Sequence, residues 1–100
     1  MSLSTHVLDL TAGSPAAGMP VRLERLDDAG WVAVATGHTD ADGRWRVDEA
    51  SGPGSFRWVF APGEGHFFPE IAIIFTAASD AHLHVPLLLS PFGYSTYRGS

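Results

Sequence analysis

Five histidines in a chain of 100 residues set the first question, because an imidazole titrates near neutrality and serves as base, acid or metal ligand. His82 and His84 stand two apart in a segment whose alternate residues, Leu83, Val85, Leu87 and Leu89, are apolar. On a strand that spacing puts both rings on one face, with Cα atoms roughly 6.5–7 Å apart. Such a pair can converge on a zinc or iron ion. No carboxylate at a suitable offset marks a third ligand, so folding would have to supply one, with His6 as the candidate. The plainer alternative is that at least one ring of the pair is solvated. His6 lies in Ser4-Thr5-His6-Val7-Leu8-Asp9 and shares a face with Ser4 and Leu8. His38 and His66 stand beside turns and read as solvated residues.

The cationic groups are equally particular. There is no lysine, so all six strong bases are arginines. Arg44 follows the turn Thr39-Asp40-Ala41-Asp42-Gly43, in which Asp opens the reversal and Gly accepts the left-handed conformation. Arg44 and Arg46 share a face, and either can serve an anion; spacing does not choose between them. The C-terminal run Tyr94-Ser95-Thr96-Tyr97-Arg98-Gly99-Ser100 reads as an edge strand with polar decoration. The chain has no nucleophile elbow, no Gly-rich phosphate loop and no cysteine.

The elements that must position these groups are short and regularly punctuated. Turn residues cluster at 11–20, 27–30, 39–43, 51–54, 61–65, 79–81 and 90–93. Between them lie Leu3–Leu10, Val21–Leu26, Trp31–Thr36, Arg44–Asp48, Ser55–Phe60, Glu70–Ala77, Leu83–Leu89 and Tyr94–Arg98. Several alternate with period two: Val21 and Leu23 against Arg22 and Glu24, Trp45 and Val47 against Arg44 and Arg46, Phe56, Trp58 and Phe60 against Arg57 and Val59. None has the three-four spacing of a helix. About eight short strands at such intervals predict an all-β fold, a two-sheet sandwich or a barrel.

Composition narrows the function classes. The length suits one domain spanning residues 1–100. With 45% hydrophobic and 17% charged residues the chain is neither disordered nor a coiled coil. Eleven acids against six arginines, net charge -5, argue against nucleic acid and against an anionic membrane as partners. No apolar stretch is long enough to span a bilayer as a helix. Met1-Ser2-Leu3 leads straight into a patterned segment with no secretory leader in view, and the expected location is cytoplasmic.

Taken together, the motifs resemble a known family. Leu3-Ser4-Thr5-His6-Val7-Leu8-Asp9, Gly13-Ser14-Pro15-Ala16, Val21-Arg22-Leu23 and Thr39-Asp40-Ala41-Asp42-Gly43-Arg44 are similar to the front half of the transthyretin-like 5-hydroxyisourate hydrolases. Phe67-Phe68-Pro69-Glu70 and His84-Val85-Pro86-Leu87-Leu88-Leu89-Ser90-Pro91 continue the likeness, and Tyr97-Arg98-Gly99-Ser100 resembles the tetrapeptide that closes those enzymes and is missing from the hormone-carrying transthyretins. On this likeness Gly99-Ser100 is native sequence.

The resemblance implies a homotetrameric transthyretin-like β-sandwich with active sites at the dimer–dimer interface. It implies hydrolysis of 5-hydroxyisourate to 2-oxo-4-hydroxy-4-carboxy-5-ureidoimidazoline in urate breakdown, with neither metal nor cofactor. Carried over residue by residue, it assigns catalysis to His6, Arg44, His84 and Ser100 and substrate binding to Tyr97, Arg98 and Gly99. It selects His84 over His82 and Arg44 over Arg46. His6 and His84 would share base and acid work, His6 being favoured as the base, while Arg44 would meet substrate oxygens and developing negative charge. One departure stands out: the short helix usual between the fifth and sixth strands has no counterpart in the Pro/Gly-rich Ala61–His66. Two rival readings follow from the same residues, a non-enzymatic carrier of a small aromatic ligand and a zinc enzyme built on His6, His82 and His84.

Overall fold

The computed structural model describes residues 1–100. Its strands are β1 (Leu3–Asp9), β2 (Ser14–Pro15), β3 (Pro20–Asp27), β4 (Gly30–His38), β5 (Arg44–Val47), β6 (Gly54–Phe60), β7 (Ile71–Ala77), β8 (Leu83–His84), β9 (Leu87–Ser90) and β10 (Gly93–Thr96), with no helix. One sheet has the order β10-β9-β1-β2, with β5 and β8 both pairing with β1; the other runs β4-β3-β6-β7. This is the two-sheet sandwich that the resemblance implies and one of the two all-β folds that the alternation pattern leaves open.

Alternation decides which way each strand faces. Leu3, Thr5 and Val7 of β1 are buried, and Ser4, His6 and Leu8 take the other face. Val21 and Leu23 of β3 meet Phe56, Trp58 and Phe60 of β6 and Ile71 and Ile73 of β7 from one sheet; Leu3, Val7, Leu87 and Leu89 meet them from the other. Each of these large apolar side chains contributes about 1.5–3 kcal/mol of burial. Trp58 lies between Trp45 and Phe75, both rings tilted against it with centroids 5.7 and 6.0 Å away.

Two details differ from the pattern expected of the sequence. The run Leu83–Leu89 is not one strand: it breaks at Val85-Pro86, because proline brings no N–H to continue the ladder. The break is sealed by hydroxyl groups. Thr5 Oγ1 donates to the Val85 carbonyl and Thr96 Oγ1 to the Pro86 carbonyl, each at 2.7 Å, so neither buried acceptor is left unpaired. The last strand stops at Thr96 rather than Arg98, and beyond it only an isolated bridge joins Gly99 to His84. These breaks, with the two-residue β2 against Leu8 and Asp9, turn about eight strands into ten. The segment 61–70 runs as turns, and within it His66 is half-buried rather than solvated.

On the outer face of the second sheet, Glu24 bonds Arg57 Nε at 2.5 Å and Arg22 Nε at 3.1 Å. Arg57 also lies 4.4 Å over the Trp31 ring. Burial pushes the Glu24 carboxyl up, but the two arginines outweigh it and hold the group below its ordinary 4.5.

Candidate active site

The outward face of β1 is where the chemistry collects. Antiparallel pairing of β1 with β5 sets Ser4 opposite Arg46 and His6 opposite Arg44. Parallel pairing with β8 sets Ser4 opposite His84. Residues 38 to 80 places apart in the chain thus become neighbours by register alone.

The turn before β5 fixes Arg44. The Asp40 carboxylate accepts the backbone N–H groups of Asp42 and Arg44, each at 2.9 Å. Gly43 closes the turn at φ 75°, and a Cβ there would lie 2.5 Å from the Val7 carbonyl oxygen. Glycine is therefore demanded by both conformation and space. The same turn aims the Asp42 carbonyl at His6, whose Nε2 lies 2.8 Å away. A carbonyl only accepts, so Nε2 carries the hydrogen and Nδ1 of the neutral ring keeps a free lone pair.

His84 sits deeper. Its Nδ1 lies 2.8 Å from Ser4 Oγ, which also meets His82 Nε2 at 3.2 Å; His82 Nδ1 in turn meets Ser2 Oγ at 2.5 Å. Burial is the largest cause holding the His84 pKa below its ordinary 6.5; the positive charges of His6, His82 and Arg44 act in the same direction, and the hydrogen bond with Ser4 opposes them. The His84 ring is thereby held neutral at pH 7.

The chain end folds back over this ring. The Gly99 N–H donates to the His84 carbonyl at 2.7 Å, and a Cβ at position 99 would stand 2.5 Å from His84 Cδ2. Gly99 is thus a spacing residue that lets the terminus reach the site. Ser4, Thr5, Asp40, Arg44, Trp45, Arg46, His82, His84 and Ser100 line an open cavity of about 360 Å3, in which Trp45 is the one hydrophobic member.

Of the residues expected here, Arg44, His84 and Ser100 line that cavity together, and His6 stands beside it as the partner of Arg44. Gly99 touches His84. Tyr97 and Arg98 lie elsewhere: they border an apolar groove of about 310 Å3 with Ile73, Phe75, Leu83 and Val85. Within one subunit they do not line the cavity of His82 and His84. Arg46 lines the cavity too, but Asp48 holds its Nε at 2.8 Å, whereas no acidic side chain pairs with Arg44. No group of three or more His, Asp or Glu side chains is arranged to hold a metal ion. His82 and His84 converge on the Ser4 hydroxyl instead. Ser2, Ser4 and the Asp42 carbonyl were not singled out by sequence reasoning; the period-two alternation of β1, which puts Ser2, Ser4 and His6 on one face, is the signal that could have found the two serines.

Comparison with known proteins adds the following. The profile of the HIUase/Transthyretin family matches residues 3–99. A protein from Salmonella dublin named 5-hydroxyisourate hydrolase is 47% identical over 109 residues, covering 98% of this chain and 80% of its own. The solved structure of Klebsiella pneumoniae 5-hydroxyisourate hydrolase superposes with a TM-score of 0.85 at 32% identity, over all of both chains. Transthyretin from Sparus aurata superposes with a TM-score of 0.84 at 28% identity, over 97% of this chain and 95% of its own. The backbone is therefore shared between hydrolases and transthyretins, and the side chains of the site must separate the two.

Proposed function

The chain belongs to the HIUase/Transthyretin family, and from that premise we propose that it hydrolyses 5-hydroxyisourate in urate breakdown. The observation that carries this reading is the register that sets His6 opposite Arg44 on neighbouring strands and brings Ser4 beside His84. Opening a cyclic amide-like bond requires a water to lose a proton, charge to be stabilised on the carbonyl oxygen, and a proton to reach the leaving nitrogen. His6, with Nε2 engaged by the Asp42 carbonyl, offers Nδ1 as the base. Arg44, free of any acidic partner, offers its guanidinium to the oxygen on which negative charge develops. His84, kept neutral at pH 7, donates from Nε2 to the leaving nitrogen. Ser100 borders the cavity and orients the water or a histidine.

The working particle in this reading is a homotetramer in which sites form at the dimer–dimer interface, with Tyr97 and Arg98 engaging a neighbouring subunit or its substrate. Support comes from the open cavity and from Phe67, Phe92, Ile74 and Tyr97, large apolar side chains left more than half exposed. No helix is long and apolar enough to cross a membrane.

The carrier reading has the fold in its favour. The cavity speaks against it, being lined by charged and hydroxyl groups with one hydrophobic residue, an unsuitable surface for an apolar aromatic ligand. The deciding experiment is the absorbance decay of freshly generated 5-hydroxyisourate with and without protein. Acceleration is expected, with most of it lost in His6→Ala, Arg44→Ala and His84→Ala proteins that keep the wild-type oligomeric state. Decay unchanged by wild-type protein would overturn the assignment.

A further inference from the structure

Outside the groups already given a role, the feature with the most chemistry in it is the file of side chains His84, Ser4, His82 and Ser2. We infer that it is a proton relay, in which Ser4 and His82 connect His84 to solvent and exchange its two neutral tautomers. The inference rests on the hydrolase reading for the reaction it serves, but not for its geometry.

The distances are those of a continuous chain: 2.8 Å from His84 Nδ1 to Ser4 Oγ, 3.2 Å from there to His82 Nε2, and 2.5 Å from His82 Nδ1 to Ser2 Oγ. Every link has a donor and an acceptor available, and two arrangements satisfy all of them with every bond pointing the same way along the file. In one, Ser2 donates to His82 Nδ1, His82 Nε2 donates to Ser4, and Ser4 donates to His84 Nδ1, so His84 Nε2 bears a hydrogen and is an acid. In the other each bond is reversed, and His84 Nε2 is a bare base. When His84 Nε2 gives a proton to the leaving nitrogen, Nδ1 takes one from Ser4 Oγ, Ser4 takes one from His82 Nε2, His82 Nδ1 takes one from Ser2, and Ser2 takes one from water. One proton leaves at His84 and one enters from solvent. Nε2 is recharged by the proton that His6 took from the attacking water, and the file then runs backwards and expels one proton at Ser2. Both rings stay neutral throughout.

The surroundings explain why neutrality matters. Arg44 and Arg46 face the pair from β5 and His6 from β1, while Asp40 and Ser100 border the same cavity. Asp80, two residues before His82, is occupied by the Gly52 N–H and the N-terminal ammonium, and Asp40 by two backbone N–H groups. With Arg44 near and unpaired, and with Asp40 and Asp80 engaged elsewhere, an imidazolium at His84 is disfavoured, and a relay supplies the proton without forming one. His82 is exposed, so the file ends in water. Ser4 and His82 act through His84 and are positioning residues in this scheme.

The test combines kinetics with nitrogen-15 NMR of the histidine rings. Ser4→Ala is expected to lower kcat at least tenfold, a part of the about 10²–10⁴ that acid–base assistance provides, with KM little changed; Ser4→Thr, which restores the hydroxyl, recovers most of it. His82→Ala is expected to lose several-fold in kcat and to regain it as imidazole is added, while the wild type shows no such response. The His84 ring nitrogens should report exchange between two neutral tautomers in the wild type, and a single fixed tautomer in Ser4→Ala. Wild-type kcat in Ser4→Ala, or a His82→Ala deficit indifferent to imidazole, would overturn the relay. Ring nitrogens unaffected by Ser4→Ala would overturn it even if the protein proved inactive on 5-hydroxyisourate, whereas inactivity of the wild type alone would overturn only the hydrolase reading.

Discussion

Gly99→Ala is the smallest change that should silence the proposed site. A methyl group on Gly99 would stand 2.5 Å from His84 Cδ2, 3.1 Å from the His84 carbonyl oxygen and 3.2 Å from His84 Cγ, where ordinary contact begins at 3.4 Å. Two of the three atoms belong to the imidazole, so relief requires the ring or the terminal segment to move by about 0.9 Å. The ring cannot turn away without stretching its 2.8 Å bond to Ser4, and the terminus cannot lift without weakening the 2.7 Å bond from Gly99 N–H to the His84 carbonyl. A displacement of about 1 Å in a positioned group costs on the order of 10²-fold in rate. Stability should hardly change, since an isolated bridge, outside the core, is all that is disturbed. The assay is initial-rate decay of 5-hydroxyisourate beside a thermal melt at matched protein concentration. Expected is a drop of about a hundredfold in kcat with Tm within a few degrees. A Gly99→Ala protein with wild-type kcat would refute the claim that close approach of the chain end to His84 matters.

Further outcomes follow from other parts of the structure. His84 has a folded pKa below 6.5, so between that folded value and 6.5 the unfolded chain binds the extra proton; stability is full above 6.5 and declines as pH falls through this window. Melts at fixed concentration should show the wild type losing Tm more steeply on acidification from pH 7.5 to 5 than His84→Gln does, and parallel curves would contradict the shift. Glu24 is held below 4.5, so its contribution is present above 4.5 and lost as pH falls through the folded value. Glu24→Gln is expected to cost about 1–3 kcal/mol at pH 7 by denaturant titration, a difference that closes as pH falls from 4.5 through the lowered folded value. Thr5→Val removes the donor to the buried Val85 carbonyl and should destabilise by about 1–3 kcal/mol; an unchanged denaturation midpoint would show that the acceptor finds another partner.

Much of this architecture was legible in the sequence because its strands alternate cleanly. Val21, Leu23, Phe56, Trp58 and Phe60 are buried as their spacing predicts. The sequence reading of Leu83–Leu89 as one strand passes over Pro86, and the two threonines that make the break tolerable have partners 80 and 10 residues away. In the site, alternation grouped Ser4 with His6 and left Arg44 and Arg46 equivalent. What separates them is tertiary: Asp48 occupies Arg46, and register pairs Arg44 with His6. His82 read as a doubtful neighbour of His84 because no sequence signal tells a solvated ring from one bonded to Ser2 and Ser4. Tyr97 and Arg98, singled out through the resemblance, stand apart from the histidines within the subunit, along an apolar groove.

The pairing of His6 with Arg44 lets one piece of geometry guard two properties. If β1 slid by one residue against β5, Val7 would turn to water and His6 into the hydrocarbon interior, because strand faces exchange with every step. A misaligned sheet would therefore lose its core at the same moment it lost its chemistry. A one-residue slip therefore has no stable but inactive product, and against that error the hydrophobic residues of β1 proofread the placement of the polar ones.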